Sequence, residues 1–204
     1  MKILSPIIVG ALALAASVAF ADSDTNKVKV SVGYANNWDG YNQNHHFVPY
    51  PWDGGVDIFQ GAPVNLSNGG SVDCLGNCYD TGVILLSNPS GSPLTVNNVN
   101  VDIGLTNFKP AGWTFPIIIP AYGTMILAQT SAWDFESSNV NTGCTPDGKI
   151  PVVHVSVGSS PVRNFIDKTQ VLNTGGYDKS GSGCGGYAEG HPFVALKTKD
   201  GSDD

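Results

Sequence analysis

The chain has 204 residues and a formal net charge of −7, with ten Lys and Arg against seventeen Asp and Glu. No basic cluster interrupts this acidic balance, which argues against nucleic acid or an anionic membrane surface as a partner. The length suits one sandwich-sized domain.

The first predicted element is a removable leader. Lys2 supplies a short positive start, residues 7–18 form an apolar run too short to span a bilayer, and Ala19-Phe20-Ala21 offers small residues where a signal peptidase cuts. Residues 1–21 are therefore read as a signal peptide, 22–197 as a single β-sandwich domain and 198–204 as a flexible acidic tail. Lys2 is the only charge in the leader, so the mature chain is one unit more negative. Ile117-Ile118-Ile119 is bounded by Pro116 and Pro120, so no second span is expected and no membrane insertion after cleavage. The expected location is secreted, periplasmic or at the cell surface.

Strand patterns then follow one another. Residues 27–32 alternate strictly, and 55–59 make a short strand. Residues 82–86 are a continuous apolar run ended by Asn88-Pro89. Val99, Val101, Ile103 and Leu105 share one face opposite Asn100, Asp102 and Gly104. Asn97-Asn98 breaks the alternation begun at Leu94 and Val96, which predicts a β-bulge. Residues 114–119 and 124–129 are strands around Pro120-Ala121-Tyr122-Gly123. In the second of them Met125 and Leu127 oppose Ile126 and Ala128, and both faces are expected to be buried because neither is polar. Residues 131–138 hold a helical turn at most. Val153, Val155 and Val157 alternate with His154 and Ser156, and residues 162–166 are expected to pair back onto them. Residues 169–172 and 192–196 complete the set. Short strands punctuated by Gly, Pro, Asn and Ser predict an all-β, antiparallel β-sandwich with long loops.

Four cysteines, Cys74, Cys78, Cys144 and Cys184, in an exported chain imply two disulfides, with three pairings open. The favoured pairing is Cys74–Cys78, closing a small loop around Gly76, with Cys144–Cys184 joining two Gly-bearing loops. Cys-x3-Cys without a second pair is poor zinc spacing.

Other motifs carry less. Gly181-x-Gly183-x-x-Gly186 lacks the strand and helix that a dinucleotide site needs. Asp22-Ser23-Asp24 opens like a calcium loop, but Lys27 and Gly33 stand where Gly and Glu are required. Asp39, Asp53, Asp57, Asp73 and Asp80 are scattered carboxylates that only the fold could gather for calcium. His45-His46 would point to opposite faces of an extended strand, and His154 and His191 stand alone. There is no Gly-x-Ser-x-Gly elbow and no His-Glu-x-x-His. No catalytic residue, metal site or cofactor is assigned.

The densest chemistry is aromatic. Tyr34, Trp38, Tyr41, Phe47, Tyr50 and Trp52 are interleaved with amides and carboxylates. Ring faces beside polar groups suit sugars, so Trp38, Tyr41, Tyr50 and Trp52, with Asn42 and Asp53, are the ligand-binding candidates. The competing and favoured role for these rings is to pin a long loop onto the sandwich.

Ile84-Leu85-Leu86-Ser87-Asn88-Pro89, Ser92-Pro93-Leu94 and Ile119-Pro120-Ala121-Tyr122-Gly123-Thr124-Met125-Ile126-Leu127-Ala128 together resemble a lamin-tail-type domain, an immunoglobulin-like sandwich of many bacterial secreted proteins. The stretch is about a quarter of the chain. Tyr122 replaces one glycine of that family's Pro-Ala-Gly-Gly turn, and Gly82 and Val83 stand where an acidic residue is frequent. Gln170-Val171-Leu172-Asn173-Thr174-Gly175-Gly176-Tyr177-Asp178 is similar to a segment of other bacterial secreted β-sandwich proteins. The resemblance implies an immunoglobulin-like extracellular module for adhesion, surface display or enzyme assistance. The expected function is a non-enzymatic binding or adhesion module whose partner is a glycan or cell-surface component. The alternatives are a secreted hydrolase whose triad only the fold assembles, and a structural protein of the surface or matrix.

Overall fold

A computed structural model describes residues 28–37, 48–52, 54–63, 78–140, 148–173, 190–199 and 201. In chain order the strands are β1 (Lys29–Asn36), β2 (Ile58–Gln60), β3 (Asp80–Ser87), β4 (Leu94–Ile103), β5 (Thr106–Phe108), β6 (Ile117–Ile119) and β7 (Thr124–Leu127). A 3₁₀ turn at Ser137–Val140 precedes β8 (Val152–Val157), β9 (Arg163–Ile166), β10 (His191–Ala195) and β11 (Lys197–Thr198). The chain is all-β, in two sheets. The first has the order β10-β1-β3-β7-β2 and the second β11-β9-β8-β4-β5, with β6 on the N-terminal half of β4.

One pairing departs from the antiparallel expectation: β2 runs parallel to β7, Ile58 opposite Met125 and Gln60 opposite Leu127. No hairpin joins these strands, so nothing local imposes the antiparallel direction.

Alternate residues of both sheets meet in one core. Val30, Val32, Ile84 and Leu127 come from the first, and Val99, Val101, Val155 and Phe165 from the second. A second, smaller cluster lies on the outer face of the first sheet. Ala35, Tyr79, Val83 and Ile126 are buried there against Trp52, Phe59 and Phe193. The first sheet is thus covered on both sides, which is why β3 and β7 read as unbroken apolar runs. Met125 and Leu127 belong to the central core and Ile126 to the outer cluster, all fully buried. The sides are closed as well. On one, the Gln60 side chain imitates a strand, its Nε2 donating to Thr114 O at 3.0 Å and its Oε1 accepting from Thr114 N at 2.8 Å. On the other, the chain crosses through Leu196 from β10 in the first sheet to β11 in the second.

The bulge is present: register shifts between Val96 and Asn98, and the Asn97 amide donates to Gly158 O. Three expectations are corrected. Leu105 does not continue the buried face of β4 but is exposed in a turn, because Gly104, at φ 59°, ends the strand. Residues 169–172 form turns instead of a strand. The buried Asp167 accepts from Thr169 Oγ1 at 2.9 Å and Leu172 N at 2.8 Å, winding the backbone round its carboxylate. Thr198, expected to open the acidic tail, is buried in β11 opposite Phe165.

The turn residues at one end of the sandwich form a single network. The buried Asn88 amide donates to Pro120 O at 2.7 Å and Ser92 O at 2.8 Å, while its Oδ1 accepts from Ser90 N at 3.0 Å. Tyr122 N donates to Ser90 O at 3.0 Å and Asn88 N to Gly123 O at 2.9 Å. Asn88→Ala is expected to lose about 2–3 kcal/mol in urea titration, because one buried side chain holds several turn backbone groups and all of those hydrogen bonds are lost at once. In the same network Tyr122 occupies the left-handed region at φ 57°, with its ring 76% exposed. That conformation costs an L-residue about 1–2 kcal/mol, against about 0.5–1 kcal/mol for the extra unfolded-chain freedom of glycine. Tyr122→Gly should therefore raise the melting temperature slightly, and Tyr122→Val should lower it.

Candidate functional site

The aromatic segment leaves β1 at a buried polar knot. Tyr34 is fully buried opposite Gly82. A Cβ at position 82 would lie 2.7 Å from Ser137 Oγ and 2.9 Å from Leu172 Cδ2, so only glycine leaves room for these neighbours. The Tyr34 hydroxyl donates to Asp80 Oδ1 at 2.9 Å and lies 3.0 Å from Ser138 Oγ. Gln129 completes the knot. Its Oε1 accepts from Asp80 N at 3.2 Å and its Nε2 donates to Cys78 O at 3.0 Å. A serine, a phenol and a carboxylate thus meet, but Tyr34, Asp80 and Ser138 are all buried. No substrate reaches Ser138 Oγ in this arrangement, and the contacts tie β1, β3 and the 3₁₀ turn together.

Of the six predicted ligand-binding residues, Tyr50 and Trp52 are described; Trp38, Tyr41, Asn42 and Asp53 lie outside the described residues. The two rings have different surroundings. Trp52 packs edge-to-face on Phe59, with centroids 5.3 Å apart, and on Tyr79 at 5.0 Å. Phe59 and Tyr79 are themselves edge-to-face at 6.4 Å. This trio caps the outer cluster of the first sheet. Tyr50, two residues earlier, is 90% exposed. Pro49 is near the same sheet face, its Cγ 3.2 Å from where a Cβ on Gly33 would lie. The segment is therefore seated on either side of Tyr50, and Tyr50 itself is presented to water.

Cys78 is fully buried. Cys74, Cys144 and Cys184 lie outside the described residues, and with them the pairing. The signal peptide, His45-His46, Asp22 and Asp24, and the Gly181–Gly186 pattern also lie outside. Of the scattered carboxylates, Asp57 Oδ2 accepts from Thr124 N at 2.8 Å, whereas Asp80 belongs to the buried knot. Among the described residues no three His, Cys, Asp or Glu side chains are placed to hold a metal.

Sequence reasoning passed over one feature, the solvent side of the second sheet. His154 lies between Asn100 and Asn164 in the strand register. Its Nδ1 is 2.7 Å from Asn164 Oδ1 and its Nε2 is 2.9 Å from Asp102 Oδ2. The Asn107 amide donates to Asp102 Oδ1. The signal was available, since Asn and Asp on alternate positions of a strand oppose local preference. Comparison of the chain with models of known families, with curated proteins and with solved structures returns no match.

Proposed function

We propose that the chain is an exported, non-enzymatic β-sandwich module that binds glycan on the outside of the cell, with Tyr50 as a stacking platform. One observation carries this reading: Tyr50 is held in the open beside an anchored Trp52. A ring displayed on a seated segment offers an apolar face to sugar C–H groups at little entropic cost. Trp52 contributes by fixing the segment. Trp38, Tyr41, Asn42 and Asp53 are the remaining candidates for completing the site. The lamin-tail resemblance supports an extracellular setting by analogy of fold. Export follows from the leader at residues 1–21, and Cys74–Cys78 with Cys144–Cys184 is the pairing proposed for the oxidised chain.

The test is a glycan array probed with the mature protein, run beside a broad hydrolase panel with a serine-reactive probe. Retention on a defined set of glycans without hydrolysis is the expected result. Turnover accompanied by covalent labelling would replace this reading with the hydrolase alternative, and an empty array would leave the structural-protein alternative.

A further inference from the structure

Four strands of the second sheet turn a polar face to solvent, and that face is built from residues strands seldom use. Asn100 and Asp102 on β4, Asn107 on β5, His154 on β8 and Asn164 on β9 are all half-buried or exposed. Asn and Asp are depleted in strands, and a merely solvated face is served as well by Thr or Lys. Where local preference is broken repeatedly on one surface, the surface has a reason of its own. Here the side chains are also fixed in place. The run Asn107–Asp102–His154–Asn164 is hydrogen-bonded across four neighbouring strands. Donors and acceptors therefore stand in rows repeated at the strand spacing of about 4.8 Å.

The face ends at the β11 edge, where the charge changes sign. Lys197 and Lys199 are exposed on either side of the buried Thr198, and Lys199 N donates to Asn164 O at 2.8 Å. Arg163, Asn164, Thr198 and Lys199 line a groove of about 480 Å³ there. A second groove beside it, lined by Lys168, Lys197 and Lys199 among others, shares the same edge. Arg163, Lys168, Lys197 and Lys199 thus lie along one edge.

We propose that this face and its β11 edge bind an acidic polysaccharide. Ring hydroxyls meet the amides of Asn100 and Asn164, the latter held in place by His154, and sugar carboxylates meet Lys197 and Lys199. The charge complementarity sets the class: a neutral glycan has no use for the lysine edge. Nucleic acid is disfavoured because the amide rows offer no ring on which bases stack. The inference shares the glycan-binding character of the proposal for Tyr50 but uses the other sheet, since Pro49 and Trp52 seat Tyr50 on the outer side of the first.

Calorimetric titration of the mature protein with polygalacturonate oligomers, neutral dextran oligomers of equal length and duplex DNA tests it. Polygalacturonate should bind best and weaken as salt is added. Lys197→Gln with Lys199→Gln should reduce its affinity at least tenfold. His154→Gln, and separately Asn100→Thr, should reduce it severalfold with the melting curve retained, while Lys29→Gln, an exposed cation on β1 of the other sheet, leaves it unchanged. Failure to bind polygalacturonate, or dextran binding equally well, overturns the inference. So does DNA binding as tightly as polygalacturonate with both insensitive to His154→Gln and Asn100→Thr, which would mark a simple cationic edge. Polygalacturonate binding lost in Tyr50→Ala but kept in the lysine double variant also overturns it, and leaves the Tyr50 reading standing.

Discussion

Phe135→Ala is expected to lower unfolding stability by about 3–5 kcal/mol, the largest effect of any single truncation considered. Phe135 is fully buried and meets Trp113 edge-to-face at 5.2 Å and Phe108 at 5.7 Å. Its backbone is engaged as well, its carbonyl accepting from Gly82 N at 3.0 Å. Trp113 is fixed from its other side, the indole Nε1 donating to Ala128 O at 2.7 Å. Truncation leaves a ring-sized void beside two rings that are already packed, so the lost transfer energy and the cavity term add. Denaturant titration measures the loss, and Phe135→Leu should recover more than half of it. A loss below about 1 kcal/mol for the alanine variant would show that this end of the core collapses around the gap.

Leu127→Ala should cost about 2–5 kcal/mol by the same cavity argument. Leu127 is fully buried in the central core opposite Ile84, in a strand hydrogen-bonded to β3 on one side and β2 on the other. Strands on both sides limit how far the backbone can relax towards the space. The midpoint of urea unfolding should fall with the slope unchanged. A changed slope would mean that the substitution alters the compactness of the unfolded or native state, and a loss under about 1 kcal/mol would mean that the position is not in the core.

Much of this fold is legible in the sequence because its strands announce themselves in two ways. β8 shows strict alternation, as expected of a strand with one wet face, whereas β3 and β7 show unbroken apolar runs, as expected of strands covered on both. The bulge at Asn97 was readable because it shifts the apolar phase by one residue. Other features were not readable, for identifiable reasons. β5 and β11, of three and two residues, are too short to display a period. Residues 169–172 have strand-like composition, yet one buried carboxylate, Asp167, outweighs it through local hydrogen bonds. The parallel direction of β2 depends on a contact with β7, remote in sequence, that no local pattern encodes. At the candidate site, the aromatic density was visible in the sequence, but the division of labour between Trp52 and Tyr50 was not. Both rings have the same composition around them. What separates them is the position of Phe59 on β2 and Tyr79 beside β3, which only the sheet brings together.

That division of labour is the central claim, and paired variants test it most directly. Thermal melts and glycan titrations are run on Tyr50→Ala and Trp52→Ala beside the parent, using the glycans retained on the array. Trp52→Ala should lower stability by about 2 kcal/mol, since it removes two edge-to-face contacts worth about 0.5–1.5 kcal/mol each together with the area the ring buries. Tyr50→Ala should melt with the parent, because its ring is exposed, and should lose most of the glycan affinity. Parent-like affinity in Tyr50→Ala, or an equal loss of stability in both variants, would contradict the account.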